Sequence, residues 1–269
     1  MTTVVGNFLK LESTISANSV VEYHLPLSDE RVALNPLIGQ EISLKFTGRI
    51  HCIDSGELIK KSYGQGYSYK SFITLAQCDM CIVKPELCHY AQGTCREPQW
   101  GLDNCLQPHV IYLSETSAPK VGITRLKNIP TRWVDQGALQ AIELFRVGTR
   151  LDAGLHEVEI SKMMSDKTDW RKMLVKTQSE HDLVALKKEI MGKFQEMMST
   201  MPPVLSLSSD EVKKIIYPGE PATKLASLSF DKNPLVKSTL LGIKGQYLIF
   251  KEGVLNIRKF QGYEIEFSS

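Results

Sequence analysis

Residues 109–124 read HVIYLSETSAPKVGIT: two short runs of apolar and β-branched residues on either side of a turn segment, SETSAP. That pattern predicts an antiparallel hairpin. Outward from it, IPTRWVDQGALQAIELF (129–145) places Pro130 like a first-turn proline ahead of apolar positions at Trp133, Ala138, Ala141 and Ile142. A helix is expected there, bent or split where Gly137 interrupts it. AGLHEVEISKMM (153–164) and SDKTDWRKML (165–174) read as further helix, with Ser165 or Asp166 as a cap. Leu183, Leu186, Ile190, Phe194 and Met197 mark an amphipathic helix from Glu180 to Met198, stopped by Pro202-Pro203. Residues 109–203 are therefore expected to form one α/β domain.

Both ends of the chain read differently. QEISLKFTGRI (40–50) alternates, with Ile42, Leu44 and Phe46 on one face, as a half-buried strand does. LLGIKGQYLIF (240–250), a turn at Glu252-Gly253, VLNIRKF and YEIEF read as a three-stranded meander. Each end alone would leave an apolar face and open edges. Residues 1–50 and 204–269 are therefore expected to make one discontinuous β module, giving an α+β protein.

The composition is globular. With 269 residues, 42% hydrophobic and 23% charged, the chain is neither disordered, fibrous nor membrane-spanning by type. No apolar run approaches the roughly 18 residues of a spanning helix, so no membrane partner is expected. The first twenty residues have neither the basic start nor the apolar centre of a secretory signal, which points to the cytoplasm. A net charge of +2 does not by itself argue for a polyanion partner; such a site must come from local arrangement.

Residues 51–108 are rich in Cys, Gly, Tyr and Pro and lack periodicity. A stretch of that length needs something to pin it. All six cysteines fall here, and five of them, Cys78, Cys81, Cys88, Cys95 and Cys105, lie within twenty-eight residues. Core thiols would scatter, whereas metal ligands cluster. Cys78-x2-Cys81 has the spacing of a metal knuckle, and His89 and His109 add candidates. The spacings beyond it are not those of a standard finger, and free buried thiols are the alternative. A structural zinc on Cys81, Cys88, Cys95 and Cys105 is expected, with Cys78 in reserve. Upstream, Cys52-x2-Ser55 and Ser68-x2-Ser71 have the outline of a four-cysteine ribbon with three serines. A hydroxyl stays protonated where a thiol ionises, so this half is expected to be metal-free.

The run HVIYL, KVGIT and Arg132-Trp133, followed by Glu157, resembles the GIY-YIG nuclease superfamily. There a short hairpin carries the two name motifs, an arginine sits on the next helix and a glutamate lies further on. CIVKPELCHYAQGTCR, KVGITR, PTRWVDQGA and GIKGQYLIF also resemble, over nearly the whole chain, a prokaryotic family that carries only a domain-of-unknown-function label. By the nuclease resemblance Tyr112 is the first-motif tyrosine, which helps take a proton from water. Arg132 is the phosphate-neutralising arginine, and Glu157 holds a divalent ion, magnesium or manganese. Gly122 matches the second motif, but Lys120 stands for its tyrosine and Val110 for the first glycine.

These residues suit phosphodiester cleavage, in which a metal and a cation offset charge on phosphoryl oxygens while a base orients the nucleophile. Lys120, a point charge, suits phosphate but is a poor base at neutral pH. Lys120, Arg125 and Arg171 are the expected nucleic-acid contacts, among further basic residues Lys127, Arg146, Arg150, Lys167 and Lys172. Trp133 and Trp170 lie between them, as aromatic stacking of bases would require. The expected function is DNA or RNA binding with metal-dependent endonuclease activity. The alternatives are a non-catalytic nucleic-acid-binding module and a zinc-stabilised protein that docks a protein partner.

Overall fold

Every second side chain of the strand Glu41–His51 begins by facing a core, with Ile42 and Leu44 buried. This strand is the middle of a seven-stranded antiparallel sheet. The computed structural model describes residues 3–164 and 169–269; the expected cap at Ser165 or Asp166 lies outside them. The chain divides into two units, the first made of Met1–Ile73, Val134–Gly137 and Ile215–Ser269.

In the first unit the sheet order is Thr3–Asn7, Tyr263–Ser268, Glu41–His51, Leu235–Lys244, Tyr247–Phe250, Gly253–Asn256. Leu58–Ile59 also pairs with Glu41–His51. The first and last strands of the chain are thus neighbours, with Val5 opposite Glu266. Glu12–Ile15, Val21–Leu27 and Glu30–Ala33 make a second, three-stranded sheet. Phe8, Phe46, Phe230, Phe260 and Tyr263 form an aromatic core with ring centroids 4.8–6.4 Å apart. Fully burying a side chain of this size stabilises by roughly 1.5–3 kcal/mol.

The closing segment departs from the expected three-strand meander. Only Gly253–Asn256 of VLNIRKF is strand, and Ile257–Phe260 is a 3-10 turn. Ile257 and Phe260, three residues apart and both buried, eclipse each other in that turn, so both reach the core. YEIEF then crosses to pair with Glu41–His51, placing Phe267 opposite Leu44.

The second unit comprises Thr74–Trp133 and Ala138–Lys214. Its five-stranded sheet has the order Val204–Leu207, Gln140–Val147, His109–Glu115, Pro119–Arg125, with Val212–Lys214 also on Gln140–Val147. The hairpin sets Tyr112 opposite Gly122. The helix expected over 129–145 is confined to Thr131–Asp135, and Gln140–Val147 is a central strand. Gly137, at φ +73°, turns the chain out of the helix. Ala141, Ile142, Leu144, Phe145 and Val147 are all buried. A strand covered on both faces carries a continuous apolar run, which mimics helical spacing over a few residues.

Thr149 accepts from the Asp152 amide to start the helix Arg150–Ser161, and Asp169 and Asp182 cap Trp170–Val175 and Leu183–Gln195 likewise. Ile160, Ile190 and Phe194 pack with Ile111, Leu113, Ile142 and Phe145 of the sheet. Phe145 and Phe194 stack at 5.6 Å. The two units meet the chain at other residues than the domain limits expected. Residues 52–73 fold with the first unit because Ile59 pairs with Ile50. Residues 204–214 fold with the second because they extend its sheet. Among the described residues no helix is long and apolar enough to cross a membrane.

Candidate functional site

The hairpin fixes the first candidate. Tyr112 is fully buried, its ring lying over Gly122 on the paired strand and meeting the Trp133 indole edge-on at 5.9 Å. Arg132 sits on the short helix Thr131–Asp135 and Glu157 on the third turn of Arg150–Ser161, both half-buried. Burial pushes the Glu157 carboxyl up to about 7, against the pull of Arg150, Arg132 and Lys120, while Glu86 adds to the rise. Arg132, Lys120 and Glu157 therefore share one electrostatic neighbourhood. Tyr112 offers it no exposed surface.

Arg125 and Arg171 have other engagements. Arg125 donates to Asn104 Oδ1, fastening the end of the hairpin to the helix Pro98–Asn104. The exposed Arg171 lays its guanidinium over the Trp170 ring at 4.5 Å. The described residues do not include Lys167.

Arg150, one of the further basic residues that the sequence pointed to, joins the neighbourhood, and so does Glu86, which the sequence did not single out. The Arg150 amide donates to the Cys105 carbonyl at 2.8 Å, and its Nη2 donates to the Ile82 carbonyl at 2.6 Å. Gly154 lets the same helix press on the Cys-rich segment: a β-carbon there would stand 2.5 Å from Pro85 Cβ and 2.7 Å from the Glu86 amide. The segment thereby brings Glu86 towards Glu157. The only local signal was the capping pattern from Thr149 to Asp152, which puts Arg150 at the first helical position.

The arrangement combines two carboxylates with three cations. The cations can offset a phosphate, and an ionised Glu157 offers an oxygen donor of the kind a hard divalent ion takes. Ionising Glu157 is a precondition for the second, because a protonated carboxyl is a poor ligand.

Cys81, Cys88, Cys95 and Cys105 line one cavity together with Asp79, His89 and Tyr90. Its volume of about 20 Å³ holds one water-sized body, which is room for an ion. Cys78 and His109 are not on the lining. His109 is fully buried and hydrogen-bonds the Gln107 carbonyl at 2.7 Å, and burial holds its pKa down near 4. Burial, Asp79, Cys88 and Cys105 push the Cys81 thiol up to about 12. Crowded thiols resist ionising together unless a cation sits among them, so zinc suits these donors by type, while among the described residues no three of the four thiols lie within 4.8 Å of one another. Asp79, Cys81 and His89 bring ligand atoms within 4.8 Å of one another. Asp79 is further held by Arg96 at 2.7 Å.

A third cluster surrounds Glu115, at the end of the strand His109–Glu115. Its fully buried carboxylate accepts from Lys176 Nζ at 2.7 Å, Gln140 Nε2 at 2.7 Å and the Glu180 amide at 3.0 Å, and meets His181 Nδ1 at 2.9 Å. With its oxygens occupied in this way it anchors residues 176–181 to the sheet.

No curated protein and no solved structure matches the chain. A family model does, over residues 39–265, and the chain belongs to that family, described as "Protein of unknown function (DUF2797)".

Proposed function

We propose that this protein engages the phosphodiester backbone of DNA or RNA through a GIY-YIG-like domain and hydrolyses it with a divalent ion held at Glu157. What carries the reading is the charge coupling of Glu157 to Arg150, seven residues earlier on the same helix, and to Arg132 and Lys120. The cross-strand pair Tyr112 and Gly122, with the helix of Arg132 following, supports the GIY-YIG likeness. Glu157, with Glu86 beside it, would hold magnesium or manganese, which supplies a Lewis acid and a more acidic water. Arg132 and Arg150 offset charge on the phosphoryl oxygens, and Lys120 adds a point charge. Glu157 must be ionised, so activity rises with pH through about 7. Cys81, Cys88, Cys95 and Cys105 would hold a structural zinc that closes the segment supporting the Glu157 helix. Six thiols suit a reducing compartment such as the cytoplasm.

A non-catalytic binding module is the second reading, favoured by the full burial of Tyr112 and by Lys120 in place of a tyrosine. Cleavage and binding of single- and double-stranded DNA and RNA by the wild type and Glu157→Ala separate the two. Loss of cleavage with binding retained supports the nuclease. Binding by both forms and cleavage by neither supports the module. Absence of binding at moderate salt rejects both, since phosphate contacts still hold there, and leaves protein docking.

A further inference from the structure

The motif Cys52-x2-Ser55 … Ser68-x2-Ser71 lies within the first unit and plays no part in the proposed reaction. Its two halves, twelve residues apart in the chain, converge. The first half is the turn between the paired strands Glu41–His51 and Leu58–Ile59, closed by Cys52 N–H to the Glu57 carbonyl at 2.9 Å. The second follows the tight antiparallel bridge between Tyr63 and Tyr67 and runs into the helix Tyr69–Thr74. Cys52 Sγ lies 3.5 Å from Ser71 Oγ, and Ser68 Oγ lies 3.2 Å from Ser71 Oγ. Ser55 lies three residues after Cys52 on the same turn, at the exposed edge of the cluster.

Backbone donors aim at the same atoms. The Ser68 amide donates to Cys52 Sγ at 3.2 Å, and the Ser71 amide donates to Ser68 Oγ at 3.1 Å. Amides pointing at the sulfur of a Cys-x2-Cys turn spread the charge of a thiolate; here one target is sulfur and the other oxygen. A tetrahedral ion with zinc–sulfur bonds of about 2.3 Å would set its ligands roughly 3.8 Å apart. The observed separations of 3.5 and 3.2 Å are contracted from that by a few tenths of an ångström. Hydroxyls retain their protons and so can satisfy one another without a cation. Ser68 donates to Ser71, and Ser71 donates to Asp54 Oδ2 at 2.8 Å. Cys52, Ser68 and Ser71 are all buried, so these bonds hold the two halves together out of water.

We propose that Cys52, Ser55, Ser68 and Ser71 are the four corners of a latent tetrahedral soft-metal site, in which hydrogen bonds do the work of the ion. The backbone is shaped for four thiolates, and thiols at the three serine positions restore an ion site for zinc or cobalt(II). Each thiol that ligates gives up its proton on binding. The wild-type chain therefore carries no ion here, and any ion it holds is bound elsewhere.

The test uses the full-length chain with Ser55→Cys, Ser68→Cys and Ser71→Cys combined, titrated under reducing conditions with cobalt(II) alone and then zinc alone. The expected result is one more equivalent of cobalt than the wild type binds, with the visible absorption of a tetrahedral thiolate site. Adding Cys52→Ala to the triple variant removes that tetrathiolate signature. Cys52→Ala in the wild type leaves its metal content unchanged. If the triple variant fails to fold, Ser68→Cys with Ser71→Cys decides, as three thiols and a water still make a tetrahedral site. A folded variant with no additional equivalent overturns the proposal, and so does loss of metal from the wild type on Cys52→Ala.

Discussion

Gly122 lies directly under the Tyr112 phenol: a β-carbon at residue 122 would stand 2.7 Å from Tyr112 Oη and 2.8 Å from Cζ. The two residues are cross-strand partners, and the ring fills the space that the missing side chain leaves. Trp133 closes the other side of the ring, so the phenol has little freedom to withdraw.

Gly122→Ala should therefore destabilise the second unit by about 1–3 kcal/mol, the range for overpacking a filled core. Urea denaturation measures it as a lowered midpoint. A midpoint equal to that of the wild type would mean that the ring shifts freely and is not held.

Glu157 supplies a pH prediction. Burial raises its folded-state carboxyl to about 7 from 4.5, so the folded chain binds the extra proton between those values. Its contribution to stability is then lost as pH rises through that window. Glu157→Gln should stabilise the chain at pH 8 by about 1–2 kcal/mol and leave it nearly unchanged at pH 4. Thermal melts of both forms at the two pH values decide this; equal shifts at both would contradict it. Magnesium or manganese affinity should increase over the same rise in pH.

Glu115 has the opposite sign. Burial opposes its ionisation, but hydrogen bonds from Lys176, His181 and the Glu180 amide hold it down near 2. The stability it contributes is complete above an unfolded carboxylate's 4.5 and disappears as pH falls towards 2. Glu115→Gln leaves the nearly buried Lys176 without its main counter-charge and should cost about 3–5 kcal/mol at neutral pH. Comparison of denaturation at pH 7 and pH 3 should show the penalty shrinking in acid.

The cysteine cavity predicts a division among the thiols. Cys81→Ser, Cys88→Ser, Cys95→Ser and Cys105→Ser should each reduce zinc content severalfold, whereas Cys78→Ser, off the cavity lining, should keep it. Elemental analysis of freshly purified protein is the measurement. Zinc below about half an equivalent in the wild type would reject the site altogether.

Local pattern carried much of the architecture. The amphipathic helix ending near Gln195 and the strand Glu41–His51 were legible because each buries one face and so keeps a clean period, whereas the hairpin at 109–125, whose first strand is buried throughout, was legible from two short apolar runs on either side of a turn. Gln140–Val147 was misread because both its faces are covered, which erases the alternation. Glu86 was hidden for another reason. Arg150 lies two turns before Glu157 on the same helix, but the nearness of Glu86 depends on that helix pressing through Gly154 onto Pro85, nearly seventy residues away in the chain.

The sequence by itself determined the hairpin at 109–125, the amphipathic helix ending near Gln195 and the clustering of the thiols, since period, capping and spacing act over a few residues. Only the tertiary structure decided that four of the five closely spaced cysteines line one cavity and leave Cys78 aside, and that the last strand lies between the first and the fifth along the chain. Such choices rest on burying faces and satisfying charges between segments distant in the chain, and no local pattern records them.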